Sequence, residues 1–148
     1  MLACATEKDL KPLQRVINKS IRFIFNINKR EHISPYAFKV HILPISYRIK
    51  FKLCLIGFKI LNGMSPDYLS EEFEMFEPTS KTSLREGFGR DKFMFKLPPI
   101  KNQNRSIFSK LTLNWNKIPY NIRIEKSLPI FKRNLKTYLF KQAYSQFV

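Results

Sequence analysis

Residues 47–70 read YRIKFKLCLIGFKILNGMSPDYLS, and their periodicity decides the fold. Apolar side chains stand at 49, 51, 53, 55, 56, 58, 60 and 61, a run too long and too irregular for a strand alternating every second residue. Ile49, Leu53, Ile56 and Ile60 keep the three-to-four spacing of a helix that faces a core. Phe51, Leu55 and Phe58 widen that stripe until most of the helix is apolar, and Arg48, Lys52 and Lys59 mark the polar face that remains. Asn62-Gly63 offers a left-handed exit. Ser65-Pro66 then offers a cap and a first-turn proline for a new helix. The stretch predicts the hub of a helical fold and carries no active-site chemistry.

Upstream, a helix is expected from residue 9 or 11 to residue 25, with Leu13, Ile17, Ile21 and Ile24 facing inward beside Val16 and Phe25. Pro12 then has to lie in the first turn. Lys11, Arg15, Lys19 and Arg22 form a basic stripe on a different face, suited to a phosphate backbone or simply to solvent. Ser34-Pro35 opens a short helix over residues 36–41, and Leu43-Pro44-Ile45 is a stiff joint into the central helix.

Downstream, residues 67–76 read as a short acidic helix and residues 77–92 as an exposed internal loop. Residues 92–98 alternate like one short strand. Helices are expected over residues 104–116, with Trp115 either a core anchor or a base-stacking platform, and over residues 128–142 behind Ser127 and Pro129. On that last helix Phe131, Leu135 and Tyr138 or Leu139 face inward, while Lys132, Arg133, Lys136 and Lys141 face out. The fold class is therefore mainly α: one small domain of about four to six helices with at most one short β segment.

Composition narrows the function. The chain of 148 residues is 44% hydrophobic and 14% aromatic, too apolar to stay disordered despite a formal charge of +16. Residues 1–63 hold 12 basic and 3 acidic residues, residues 64–91 hold 3 and 7, and residues 92–148 hold 12 and 1. Two basic segments flank an acidic middle, and such a charge attracts RNA or DNA first and anionic surfaces second. MLACATEKDL lacks a charged leader followed by a long apolar run, and no stretch is long and uncharged enough for a membrane span, so an intracellular protein is expected.

Catalytic chemistry finds few candidates. Asp9, Asp67 and Asp91 are mutually isolated, so no pair is placed to hold two metal ions. Glu71, Glu72 and Glu74 have no histidine near them, and His32 and His41 have no cysteine cluster. Cys54 lies inside the apolar helix and reads as a small buried hydrophobe. Gly87-Phe88-Gly89 lacks the Gly-Lys-Ser or Gly-Lys-Thr of a phosphate loop. No cofactor, metal site or catalytic residue is expected.

Several blocks, in order, carry a family resemblance. Leu13-Gln14 with residues 18–25, NKSIRFIF, resembles LQ…NRAVRLIF; Pro35-Tyr36 with His41-Ile42-Leu43-Pro44-Ile45 resembles PY…LHWLPV. RIKFKL at 48–53, KILNG at 59–63 and SPDYL at 65–69 resemble RIxFKL…YKxLNGxAPxYL. Residues 105–108 (RSIF) with 113–119 (LNWNKIP), and finally SL at 127 with FK at 131 and LKTYLF at 135, resemble the R.FS…PRLWNSLP and SL..FK..LKTHLF blocks, although Thr112, Leu113 and Asn114 depart from the proline and arginine before the tryptophan. The chain, from about residue 13 to 140, thus resembles the C-terminal region of the reverse transcriptase polyprotein of non-LTR retrotransposons of the jockey and CR1-like groups. The resemblance implies a transposable-element protein whose parent is an RNA-directed DNA polymerase. It implies for this region a non-catalytic accessory role, contacting RNA or DNA or packing against the upstream polymerase body. It equally admits a decayed fragment without a function of its own. The phosphate contacts expected are Lys11, Arg15, Lys19, Arg22, Lys132, Arg133 and Lys136.

Overall fold

The computed structural model describes residues 5–76, 93–97 and 106–146. Among them are seven helices: α1 (Glu7–Phe25), α2 (Ser34–Lys39), α3 (Ile45–Leu61), α4 (Asp67–Ser70), α5 (Ile107–Asn116), α6 (Tyr120–Arg123) and α7 (Leu128–Ala143). The domain is mainly α, as its periodicity predicts. One single-turn helix brings the number past the four to six expected: α6, which restarts at once behind Pro119 because proline suits a helix entrance. The loop expected at 77–92 lies outside the described residues.

The central helix α3 is the hub. It buries Leu53, Cys54, Gly57, Phe58 and Ile60, while Ile49 and Ile56 are partly buried at the margin of the same core. Its main partner is α5. An added Cβ at Gly57 would stand 2.8 Å from Cε3 of Trp115 and 3.4 Å from Cδ2 of Leu111, so only glycine lets the indole lie this close to the α3 backbone. Trp115 is fully buried and donates from Nε1 to the Phe93 carbonyl at 2.7 Å, which fixes it as a core anchor and removes it as a base-stacking platform. From there an aromatic chain runs through the core: Trp115 to Phe131 at 5.8 Å, and Phe131 stacked on Phe58 at 4.4 Å. Each such ring pair adds about 0.5–1.5 kcal/mol beyond the area it buries. Phe58 on Phe131 and the Tyr47 hydroxyl 3.4 Å from the Gln142 carbonyl make α3 and α7 antiparallel neighbours.

The expected strand at 92–98 shrinks to a single antiparallel bridge, Met75 with Phe95. Phe76 N–H donates to the Met94 carbonyl and Lys96 N–H to the Glu74 carbonyl, both at 2.8 Å. Asn116 supplies what a second strand would have given: its side chain accepts from Phe95 N–H at 3.0 Å and donates to the Phe95 carbonyl at 2.8 Å. This pairing also corrects the acidic helix expected over 67–76. That helix stops after one turn at Ser70, because Phe73 and Met75 are drawn to the core beside Phe95 and Phe108.

Three helices end alike. Asn26, His41 and Gly63 each take positive φ, 49°, 53° and 63°, and the residue after each donates its N–H five residues back, to the Arg22, Ala37 and Lys59 carbonyls. This is the Schellman exit, which satisfies helix-end carbonyls and turns the chain sharply. Gly63 adopts it freely, whereas a side chain in the left-handed region costs roughly 1–2 kcal/mol.

The first helix departs furthest from expectation. It begins at Glu7, since Thr6 caps it and donates from both N–H and Oγ1 to the Asp9 carboxylate at 2.8 Å, holding that carboxyl below its usual range. Pro12 is therefore the sixth residue, inside the helix rather than in its first turn. Ile21 is buried in a second, smaller cluster with Ala37 and Tyr144, whose hydroxyl donates to the Ile42 carbonyl at 2.6 Å. Leu13 and Ile24, expected to face inward, are exposed together with Val16 and Phe23. Periodicity marks an apolar face; it does not guarantee that the chain supplies something to cover it.

The packing of α3 can be tested at two of its residues. Gly57→Ala should lower stability by about 1–3 kcal/mol through overpacking, against the ~1 kcal/mol that alanine adds to helix propensity, as read by urea denaturation followed on Trp115 fluorescence. Burial pushes the Cys54 thiol up to about 12 from 9.0, against a small opposing pull from Lys50. In a Cys4→Ser background, iodoacetamide at pH 8 should leave the folded protein unlabelled and label the urea-unfolded chain completely. Stability should be indifferent to this thiol below pH 9 and decline above it, since the unfolded thiol ionises first.

Candidate nucleic-acid interface

Helix spacing places Arg48 and Lys52, four residues apart on α3, one above the other on the same face. Like charges at this spacing cost a few tenths of a kcal/mol, and Arg48 sits in the first turn, where the helix dipole also disfavours a cation. Across the groove, α7 presents Lys136 on the flank of its buried Phe131, Leu135 and Leu139 row. The antiparallel packing of α3 on α7 brings these three cations to one cleft of about 490 Å³, lined by His41, Leu43, Arg48, Phe51, Lys52 and Lys136. Lys59, seven residues beyond Lys52, and Lys132, four before Lys136, continue the two rows. The floor is apolar, Leu43 being buried and Phe51 partly so.

Among the described residues no carboxylate neutralises these cations; the ion pair there is Lys96 with Glu74, at 2.6 Å beside the β bridge. It holds the Glu74 carboxyl below and the Lys96 ammonium above their ordinary ranges, chiefly by the hydrogen bond between them. Lys50 is occupied otherwise, over the Tyr47 ring at 4.4 Å from its centroid.

The residues expected to meet phosphate do not form one cluster. Lys132, Arg133 and Lys136 are exposed on α7, and of the seven only Lys136 lines the cleft. Lys11, Arg15 and Lys19 are exposed along α1, which packs on α2 and α3 and contributes no cleft residue. Arg22 serves the fold instead, because its guanidinium donates to the Asn28 carbonyl and, at 2.8 Å, to the Glu31 carbonyl, holding the α1–α2 connection. Sequence reasoning misses Arg48 and Lys52 as site residues. Their i, i+4 spacing on the polar side of α3 is visible, but their convergence on Lys136 depends on a contact 84 residues away.

A second surface cleft, also about 490 Å³, runs along Glu72, Phe73, Glu74, Lys96, Leu97, Phe108, Ser109 and Thr112. Its charges are mixed and two of them are already paired, so it offers no comparable field. Among the described residues no three His, Cys, Asp or Glu side chains gather as metal ligands, and no helix is long and apolar enough to cross a membrane. Comparison with protein-family models, with curated proteins and with solved structures finds no match to this chain.

Proposed function

We propose that the chain is a non-catalytic, basic helical module that binds RNA or DNA through its phosphates, derived from the accessory region of a retrotransposon reverse transcriptase. The observation that carries this reading is the convergence of Arg48, Lys52 and Lys136, from two helices and without a carboxylate among the described residues, on one cleft. Folding gains nothing from gathering like charges, whereas a polyanion does. Lys132 and Arg133 extend the contact along α7, and Lys11, Arg15 and Lys19 offer a second strip on α1. The retrotransposon part of the reading rests on the ordered sequence blocks. These fall on α1, on the joint into α3, on the Gly63 exit and on the Trp115 anchor. The blocks RIKFKL, FK and LKTYLF also contain Arg48, Lys52, Lys132 and Lys136, so the resemblance and the cleft share residues.

Fluorescence anisotropy with labelled single strands at several salt concentrations tests the binding. The logarithm of affinity should fall with the logarithm of salt by about 0.7 per phosphate engaged, and Lys132→Gln with Arg133→Gln and Lys136→Gln should flatten that slope by about 2. Arg48→Gln with Lys52→Gln should weaken binding while raising stability by about 0.2–0.5 kcal/mol, because a repulsion is removed. Arg15→Gln with Lys19→Gln tests the α1 strip without touching the loop that Arg22 holds. Salt-independent or undetectable binding overturns the reading.

The exposed face of α1 favours a second reading, a module that docks on a larger protein body. Phe23 is 90% exposed, Ile24 67% and Val16 61%, an apolar strip of the kind that marks an interaction surface. On this reading the isolated chain self-associates in size-exclusion chromatography with light scattering, Phe23→Asp with Ile24→Asp restores a monomer, and affinity for nucleic acid is weak. A monomer with salt-dependent binding decides for the first.

A further inference from the structure

The cleft between α3 and α7 is more than a cationic patch. Its lining has two chemistries: Arg48, Lys52 and Lys136 supply positive charge, and Leu43, Phe51 and His41 supply an apolar and aromatic wall. A duplex uses the first alone, since its bases are stacked inside and only its phosphates reach a groove of this kind. The wall adds to binding only if the ligand also brings a flat, unpaired group.

His41 is the second observation. It occupies the left-handed position of the α2 exit, φ 53°, where the corresponding residue after α3 is Gly63. Nothing in the turn needs the imidazole, because the two backbone hydrogen bonds that close it, His41 N–H to Phe38 and Ile42 N–H to Ala37, use main-chain atoms. The ring lies 5.3 Å from that of Phe140 and lines the cleft. The imidazole kept there packs on Phe140 and lines the same cleft as the three cations, which puts an aromatic face beside a phosphate-sized cluster of charge.

Resting on the nucleic-acid reading above, we propose that the cleft holds an unpaired nucleotide of a single-stranded RNA or DNA. Its phosphate sits among Arg48, Lys52 and Lys136, and its base lies against Phe51 and His41. The volume of about 490 Å³ falls within the roughly 300–1,000 Å³ of sites for small organic groups. Inorganic phosphate would leave the wall unused.

The test measures the full chain against a labelled 12-nucleotide uridine strand, a matching thymidine strand and a duplex of equal length. Single strands should bind about fivefold or more tighter than duplex, the scale of one base stacked on an aromatic group. His41→Gly and Phe51→Leu should remove that preference by lowering single-strand affinity about fivefold and duplex affinity by less, whereas Arg48→Gln weakens both alike. His41→Gly relieves the positive φ, so its melting temperature should hold or rise, and a loss of affinity in it is not a loss of fold. Equal affinity for single strand and duplex, or unaltered preference in His41→Gly and Phe51→Leu, overturns the nucleotide site and leaves phosphate binding intact. Absence of binding to all three ligands overturns both. Uridine monophosphate binding as tightly as the 12-nucleotide strand would assign the cleft to free nucleotides and overturn the single-strand assignment.

Discussion

The contact between Gly57 and the face of Trp115 sets the rest of the structure. Because no Cβ intervenes, α5 lies close on α3, and the indole reaches the Phe93 carbonyl while its other side meets Phe131. The large aromatics of the main core are placed relative to that ring: Phe95 and Phe131 directly, Phe58 through Phe131. Asn116, next in sequence, then clamps Phe95 from both sides of its peptide, and Arg123, buried, donates to the Asn116 carbonyl at 2.9 Å. One missing methyl group thus organises α5, the β bridge, α6 and α7 around a single helix.

Much of this is legible where the information is local. The 3.6-residue period names α3 as the hub, Gly63 announces its exit, and Pro35 and Pro129 mark the first turns of α2 and α7. What fails needs knowledge of partners. Gly57 looks like an interruption of an apolar run, although its value lies in what a side chain there would strike. Leu13 and Ile24 share the period of Ile17 and Ile21, yet the helices that cover α1 reach only one side of it. Glu74 and Phe76 read as the end of a helix, but a bridge with residues 94–96 competes for their backbone groups. The candidate site divides in the same way. Its α7 cations are readable as a row, whereas their α3 counterparts become significant only through the antiparallel packing of two helices far apart in sequence.

The distribution of charge separates two roles within the fold. On the side of α4 and the bridge, Glu74 and Lys96 satisfy one another in water, an exposed pair of small energetic weight. On the side of α3 and α7 no described carboxylate compensates the cations, neighbouring like charges work against them, and the helix dipole adds to the penalty at Arg48. The packed core tolerates that penalty because it is small against the aromatic contacts behind it. A cluster of like charges can therefore be held on a scaffold whose stability comes from elsewhere.

The bond from the Tyr144 hydroxyl to the Ile42 carbonyl closes a loop of 102 residues. Together with Phe58 on Phe131, it means that the earliest helices of the chain find their partners in the last one. During synthesis at about 5–20 residues per second, α1 to α3 wait roughly 5–20 s for that segment to be made. Partway through this interval α3 meets α5, but it still lacks the α7 side chains, Phe131 among them, that complete its cover. The order of elements delays closure of this domain until α7 is made, and the apolar surface left uncovered is larger on the nascent chain than on the folded domain.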